Sequence, residues 1–342
     1  MPLVTDLTIP FQPAAEPAEL ETRRTLLSAD SRDEAAFERY CELSGLHWAL
    51  GEPEDALASL QKALHLARQN DLTDSVGYLS SLQGAALCYI GQYAAAHALF
   101  AQAEALFRRQ NNGLGIAWQQ HLMAREYHLD LGNFAAAQRA AAETGSLFRA
   151  HSLWHAYAES LLTQAHSALG SGAPRRAADF LRQAEGLIAE RDLKWLAPEY
   201  HWLRAQTALA EGTPRLAAEH CYSALNAVSN GGDVRLLTAL YVTLGKALET
   251  DRSQQPAAQD ALERALAARE RARCLHAAQA YLALGLHLKR YSRHMTMRAR
   301  GSGYLFEAEQ RYKALGLPMP EAWSSLLCAA ERCAILGAQN GV

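Results

Sequence analysis

Five glycines, Gly51, Gly91, Gly132, Gly172 and Gly212, stand 40, 41, 40 and 40 residues apart, and that spacing restricts the chain more than any other feature. An alanine follows each at the fifth position: Ala56, Ala96, Ala137, Ala177 and Ala217. A second series, Leu72, Leu114, Leu153, Leu193, Val234 and Cys274, keeps step and marks the start of a first helix in each unit. The best-formed copy spans residues 82–107, LQGAALCYIGQYAAAHALFAQAEALF. It sets small residues at Gly84, Ala96 and Ala103 against large ones at Leu87, Tyr93 and Phe100, with a turn at Gly91. That pattern describes two helices packed closely as an antiparallel hairpin. One hairpin cannot bury its apolar face alone, so copies must stack, and a fixed period of this length is the mark of a solenoid.

Composition agrees and removes several alternatives. The chain is 49% hydrophobic but only 8% aromatic, rich in Ala and Leu and poor in runs of Val, Ile and Thr, which predicts an all-α protein. A net charge of -3 gives no global field for nucleic acid or an anionic membrane. No stretch approaches the roughly 18 apolar residues of a membrane span. The six cysteines form no CxxC pair and read as buried thiols in a reducing compartment, so a cytoplasmic setting is expected.

The chain divides into an arm and short helix over 1–32, a superhelical domain over 33–315, and a capping helix with its tail over 316–342. Pro2, Pro10 and Pro13 keep the arm from forming a regular helix. Pro53, Pro174, Pro214 and Pro256 fall in the first turn of second helices, where a missing N–H costs nothing. In the seventh unit a stretch over 289–303, KRYSRHMTMRARGSG, interrupts the pattern and reads as a basic loop carrying Lys289, Arg290, Arg293 and Arg298. Pro318 and Pro320 stop the helix that follows, and a last helix over 321–336 would cap the stack.

The order small–x–x–aromatic, then G-x-Y-x-x-A-x-x-x-F-x-x-A, is intact from Gly84 to Ala103. It resembles the tetratricopeptide repeat. The usual period is 34 residues, so 40 implies longer helices, similar to the extended arrays of MalT-like regulatory proteins. The resemblance implies a right-handed α-solenoid of about seven hairpins whose first helices line a concave groove.

Counting back from each turn glycine then gives the groove residues. They are Glu38 and Glu42 in the first hairpin, Gln119, Glu126 and Asp130 in the third, Glu159 and His166 in the fourth, and Glu199, Trp202 and Gln206 in the fifth. Acids outnumber bases until Lys246, Lys289 and Arg290 reverse the sign. Trp118, Trp154, Trp195 and Trp202, with Tyr157 and Tyr200, cluster mid-array. Aromatics at helix starts wedge between hairpins, and Trp202 is the candidate ligand anchor.

No GxxxxGK[ST], HExxH, GxSxG or EF-hand loop occurs, so neither catalysis nor a cofactor is expected. The glycines at 113, 115, 231, 232, 301 and 303 read as inter-helix turns. His151, His155 and Glu159 share metal-like spacing but lack a further strong ligand, so no metal is expected. The expectation is a scaffold or adaptor in bacterial regulation or complex assembly, binding a basic or extended protein or peptide in its groove, with self-association left open. The alternative is a sensor that closes on a signalling peptide or small ligand and drives an effector.

Overall fold

A computed structural model describes residues 36–49, 52–228, 233–268 and 275–320. The arm over 1–32, the capping helix over 321–336, Gly51, Gly231, Gly232, Cys274, Cys328 and Cys333 lie outside the described residues. Among the described residues there are fourteen α-helices and no strand. Seven consecutive hairpins follow: α1 (Ala36–Ala49) with α2 (Pro53–Gln69), α3 (Thr73–Tyr89) with α4 (Tyr93–Arg109), and α5 (Gly113–Leu122) with α6 (Phe134–Ala150). Next come α7 (Trp154–Gly170) with α8 (Pro174–Glu190), α9 (Ala197–Ala210) with α10 (Pro214–Ala227), α11 (Val234–Leu248) with α12 (Gln255–Ala268), and α13 (Leu275–Tyr291) with α14 (Met295–Ala314). Each helix packs on its chain neighbours, so the molecule is a helical-hairpin solenoid of tetratricopeptide-like form. No described helix is long and apolar enough to cross a membrane.

Two kinds of turn alternate. Within hairpins, Gly91, Gly132, Gly172 and Gly212 adopt left-handed φ of 80°, 69°, 72° and 76°, where a Cβ would be strained. Between hairpins the same left-handed position falls to Asp71, Asn111, Ser152 and Asp192. Asp and Asn are the side chains that best tolerate it. Each inter-hairpin turn is closed by an N–H reaching back five residues, as Leu72 to Ala67 and Asn112 to Phe107, both at 2.9 Å, which satisfies orphan helix-end carbonyls. The helix start after the second hairpin is therefore capped by Asn112, whose Oδ1 accepts from Gly115 N at 2.8 Å. Leu114, counted as the start, lies two residues inside.

The core confirms close helix approach. A Cβ on Gly84 would sit 2.9 Å from the Phe100 ring, with Ala96 and Phe100 wholly buried. Phe107 lies against both Gly77 and Gly115, leaving neither room for a side chain, and so locks the third hairpin onto the second. Gly113 and Gly115 are thus helical residues of α5, not turn residues.

The expected basic loop is absent. Lys289 and Arg290 end α13, Arg293 sits in the short turn, and Arg298 lies in the first turn of α14. Gly301 and Gly303 are helical, and Gly301 is needed because α14 crosses α13 closely: its Cβ would meet the Gly285 carbonyl at 3.1 Å. The inserted residues lengthen a helix rather than form a loop.

Candidate binding groove

The first helices of the hairpins line a concave cavity of about 790 Å³. Its walls run from the turn of the third hairpin, at Leu129, Asp130, Leu131, Gly132 and Phe134, through α7, α9, α11 and α13 to Leu317, Pro318 and Pro320 after α14. Because the period is 40, each level of the wall repeats down the array, as at Glu126, His166, Gln206 and Lys246.

Of the residues counted from the sequence, the structure brings Asp130, His166, Trp202 and Gln206 to this cavity, and Glu126 and Glu199 to a smaller pocket beside it that shares Asp130, His166 and Trp202. Gln119 is wholly buried inside α5 and contacts Met123 Sδ at 3.6 Å. Glu159 lies behind the groove on His121. Trp202 is a wall and a wedge together: its indole N–H donates to Thr243 Oγ1 at 3.1 Å and its ring meets His166 edge to face. Trp118 packs on Phe148 between α5 and α6, and Trp154 under the Arg191 guanidinium at 4.6 Å, both structural.

The acidic stripe is not a free acidic surface. Arg235 Nη1 holds Glu126 Oε2 at 2.6 Å, and Arg125 Nη2 holds Glu199 Oε2 at 2.5 Å while its Nε reaches Glu126 at 3.4 Å. Glu159 pairs with His121 Nε2 at 3.0 Å. Burial opposes its charge, yet the His121 hydrogen bond and Arg125 outweigh that and hold it down at about 2. Asp130 behaves oppositely. Burial pushes it up to about 7, against the pull of Arg235 and with Glu126 adding repulsion; it accepts a hydrogen bond from the Tyr93 hydroxyl at 3.0 Å. Burial, helped by Arg125, lowers His166 to about 4, and burial with Arg235 lowers His276 to about 3, so both imidazoles are neutral.

Arg235 also braces distant hairpins. Its guanidinium lies 4.1 Å from the Tyr89 ring centre and 5.8 Å from that of Trp48. Asp233, which caps α11 by accepting from Arg235 N at 2.8 Å, takes the Tyr89 hydroxyl at 3.0 Å. Helices α1, α3 and α5 are thereby tied to the start of α11 across the groove.

Counting missed both arginines. Arg125 lies in a π-helical segment, Met123–His128, that continues α5, closed by Leu129 N to Ala124 O, a five-residue step of 3.3 Å. The wider turn lets neighbouring Arg125 and Glu126 line the same small pocket. The signal was the one 41-residue interval among intervals of 40.

The metal-like triplet is not a single helical face, because the turn at Ser152, φ 60°, leaves His151 at the end of α6 while His155 and Glu159 lie in α7. The described cysteines Cys41, Cys88 and Cys221 are free. Burial raises all three, Cys221 to about 12, which leaves them poor nucleophiles.

No protein-family model matches the chain, and no curated protein does. Solved structures do: 27 chains match, among them one in the "Crystal structure of APC/C hetero-tetramer Cut9-Hcn1", 17% identical, with a TM-score of 0.44, over 90% of this chain and 58% of that one. The chain therefore spans little more than half that neighbour's length. A likeness this distant says nothing of what the chain binds.

Proposed function

We propose that the chain is a non-enzymatic binding module that captures a segment of another protein in its concave groove, in a regulatory or assembly role. The observation that carries this is the cavity itself, walled by the first helices of four hairpins and the turn of the third, with the paired charges Arg125–Glu199 and Arg235–Glu126 in the smaller pocket beside it. A preformed concave site with a few polar groups set among apolar walls suits capture rather than chemistry. The described residues that line it include no nucleophile beside a base. Glu126, Glu159 and Glu199 of the stripe are paired within the protein, so a merely basic partner has less to gain than residue counting implied, and an extended segment with apolar side chains fits the walls better.

A second reading, a sensor, draws on one further observation. The cavity touches both the third hairpin and the residues after α14, so an occupant would bridge the third hairpin to the last and favour a closed winding of that stretch.

The test is capture from lysate at moderate salt with identification by mass spectrometry, using wild type, Leu286→Trp and Tyr222→Ser. Leu286 is a half-buried wall residue and Tyr222 is exposed on a second helix, α10. Partners lost with Leu286→Trp and kept with Tyr222→Ser support the groove. Partners lost only with Tyr222→Ser place binding on the outer face and overturn the reading.

A further inference from the structure

One level of the groove wall changes character along the array. At Glu126 the carboxylate is closed off by Arg235 and Arg125; His166 and Gln206 are uncharged; at Lys246 an ammonium stands in the cavity wall. Lys246 reaches solvent but is surrounded by protein, and that burial, opposed by Glu249, lowers its pKa. Glu249 does not neutralise it by contact, since its Oε1 is engaged by His287 Nδ1 at 2.8 Å. Among the described residues no carboxylate lies within ion-pairing distance of Lys246.

Three other features share its surroundings. The amides of Gln206 and Gln279 line the same cavity. The Nδ1 of His276, also in that wall, is buried without a hydrogen-bond partner. Leu209, Val242, Leu282, Leu286, Leu317 and Pro318 give the rest an apolar surface. The acid facing this cavity is Asp130, which burial leaves about half protonated at pH 7 and which already serves the Tyr93 hydroxyl.

Size limits the occupant. The cavity, about 790 Å³, falls within the range of small-molecule sites. A charge pair formed against a concave wall is less screened than one on an open surface, and each methylene buried beside it adds about 0.8 kcal/mol.

We propose that the cavity takes an amphipathic organic carboxylate, its anionic head on the Lys246 ammonium beside Gln206 and its hydrocarbon body along Leu209, Val242, Leu282 and Leu286. This rests on the sensor reading of the groove and names the chemistry of its small ligand. The polarity is opposite to that suggested by counting acids.

The experiment is calorimetric titration of the whole chain at pH 7.5 with decanoate, decylamine and decan-1-ol, each below its aggregation threshold. Decanoate should bind saturably and about tenfold more tightly than the alcohol, a factor equal to ~1.4 kcal/mol. Lys246→Met should remove that tenfold advantage, leave the alcohol unchanged and leave the melting temperature near wild type, since the side chain reaches solvent. Leu286→Trp should abolish binding of both. Tighter binding of decylamine than of decanoate, indifference of decanoate to Lys246→Met, or no saturable binding of decanoate overturns the proposal. If decanoate fails while Leu286→Trp still abolishes protein capture, the groove reading stands and only its ligand chemistry falls. If decanoate binds while capture ignores Leu286→Trp, the protein-binding reading falls instead.

Discussion

The inside of the second hairpin and the floor of the groove hold the molecule together by different means. Between α3 and α4 the contact is apolar, short in sequence and made by fit: Phe100 against Gly84, with Ala96 and Ala103 buried beside it. Across the groove it is ionic and long in sequence, Arg235 to Glu126 and Asp233 to Tyr89. The first kind makes each hairpin depend on its neighbours alone. The second ties the first three hairpins to the sixth, so a repeat array acquires one connection that ignores repeat order.

The largest effect should come from cutting that connection. Arg235→Met removes the cation that Glu126 and Asp233 share and leaves Glu126 only its longer contact with Arg125, and removing one partner of a buried pair costs about 3–5 kcal/mol. Denaturant unfolding should show the loss, and hydrogen exchange should rise in α1, α3 and α5 as well as in α11. Protection lost in the sixth hairpin alone would mean that the crossing carries no coupling.

A smaller and local effect is expected inside the second hairpin. Ala96→Leu overpacks a wholly buried site at a cost of about 1–3 kcal/mol. Exchange should increase in the first three hairpins, with a weaker rise in α11 through its tie to them, and stay near wild type in α8, α10 and α12. Uniform loss along the chain would erase the distinction between the two regions and with it the solenoid account.

The last effect is one of pH. Asp130 rises from 3.8 to about 7 in the folded chain, so between these values the folded state holds a proton that the unfolded state has released. Stability from this group therefore falls as pH rises through that window. Asp130→Asn keeps an acceptor for the Tyr93 hydroxyl and should be near neutral at pH 3, where Asp130 is protonated in both states, and progressively stabilising up to pH 8, by as much as about 4 kcal/mol. Glu159, lowered from 4.5 to about 2, has the opposite sign: its contribution is lost as pH falls through those values. Equal stability changes for Asp130→Asn at both pH values would remove Asp130 from the buried cluster.

What was legible in the sequence follows the same division. Close packing is written locally, as Gly84 beside Phe100 or Pro174 at a helix start, and the period carries it from hairpin to hairpin. The Asp71, Asn111, Ser152 and Asp192 turns were equally periodic and could have been read. Charge balance was not legible, because Arg235 stands 109 residues from Glu126 and no period links them. Arg125 escaped because regular helical counting fails across the π-helical turn. Gly301 misled because a glycine demanded by a helix crossing looks, in sequence, like one demanded by a loop.

That turn has a consequence for how such a protein can change over generations. The extra residue enters after Asn111 and is absorbed before Gly132, since turns on either side resume the 40-residue interval. A gain of one codon within a first helix is thus confined to that helix and leaves the rest of the stack in frame. Length, as well as residue identity, becomes a heritable means of remodelling a binding surface, and a one-codon deletion within 123–128 would return α5 to regular winding while dismantling the charge centre it presents.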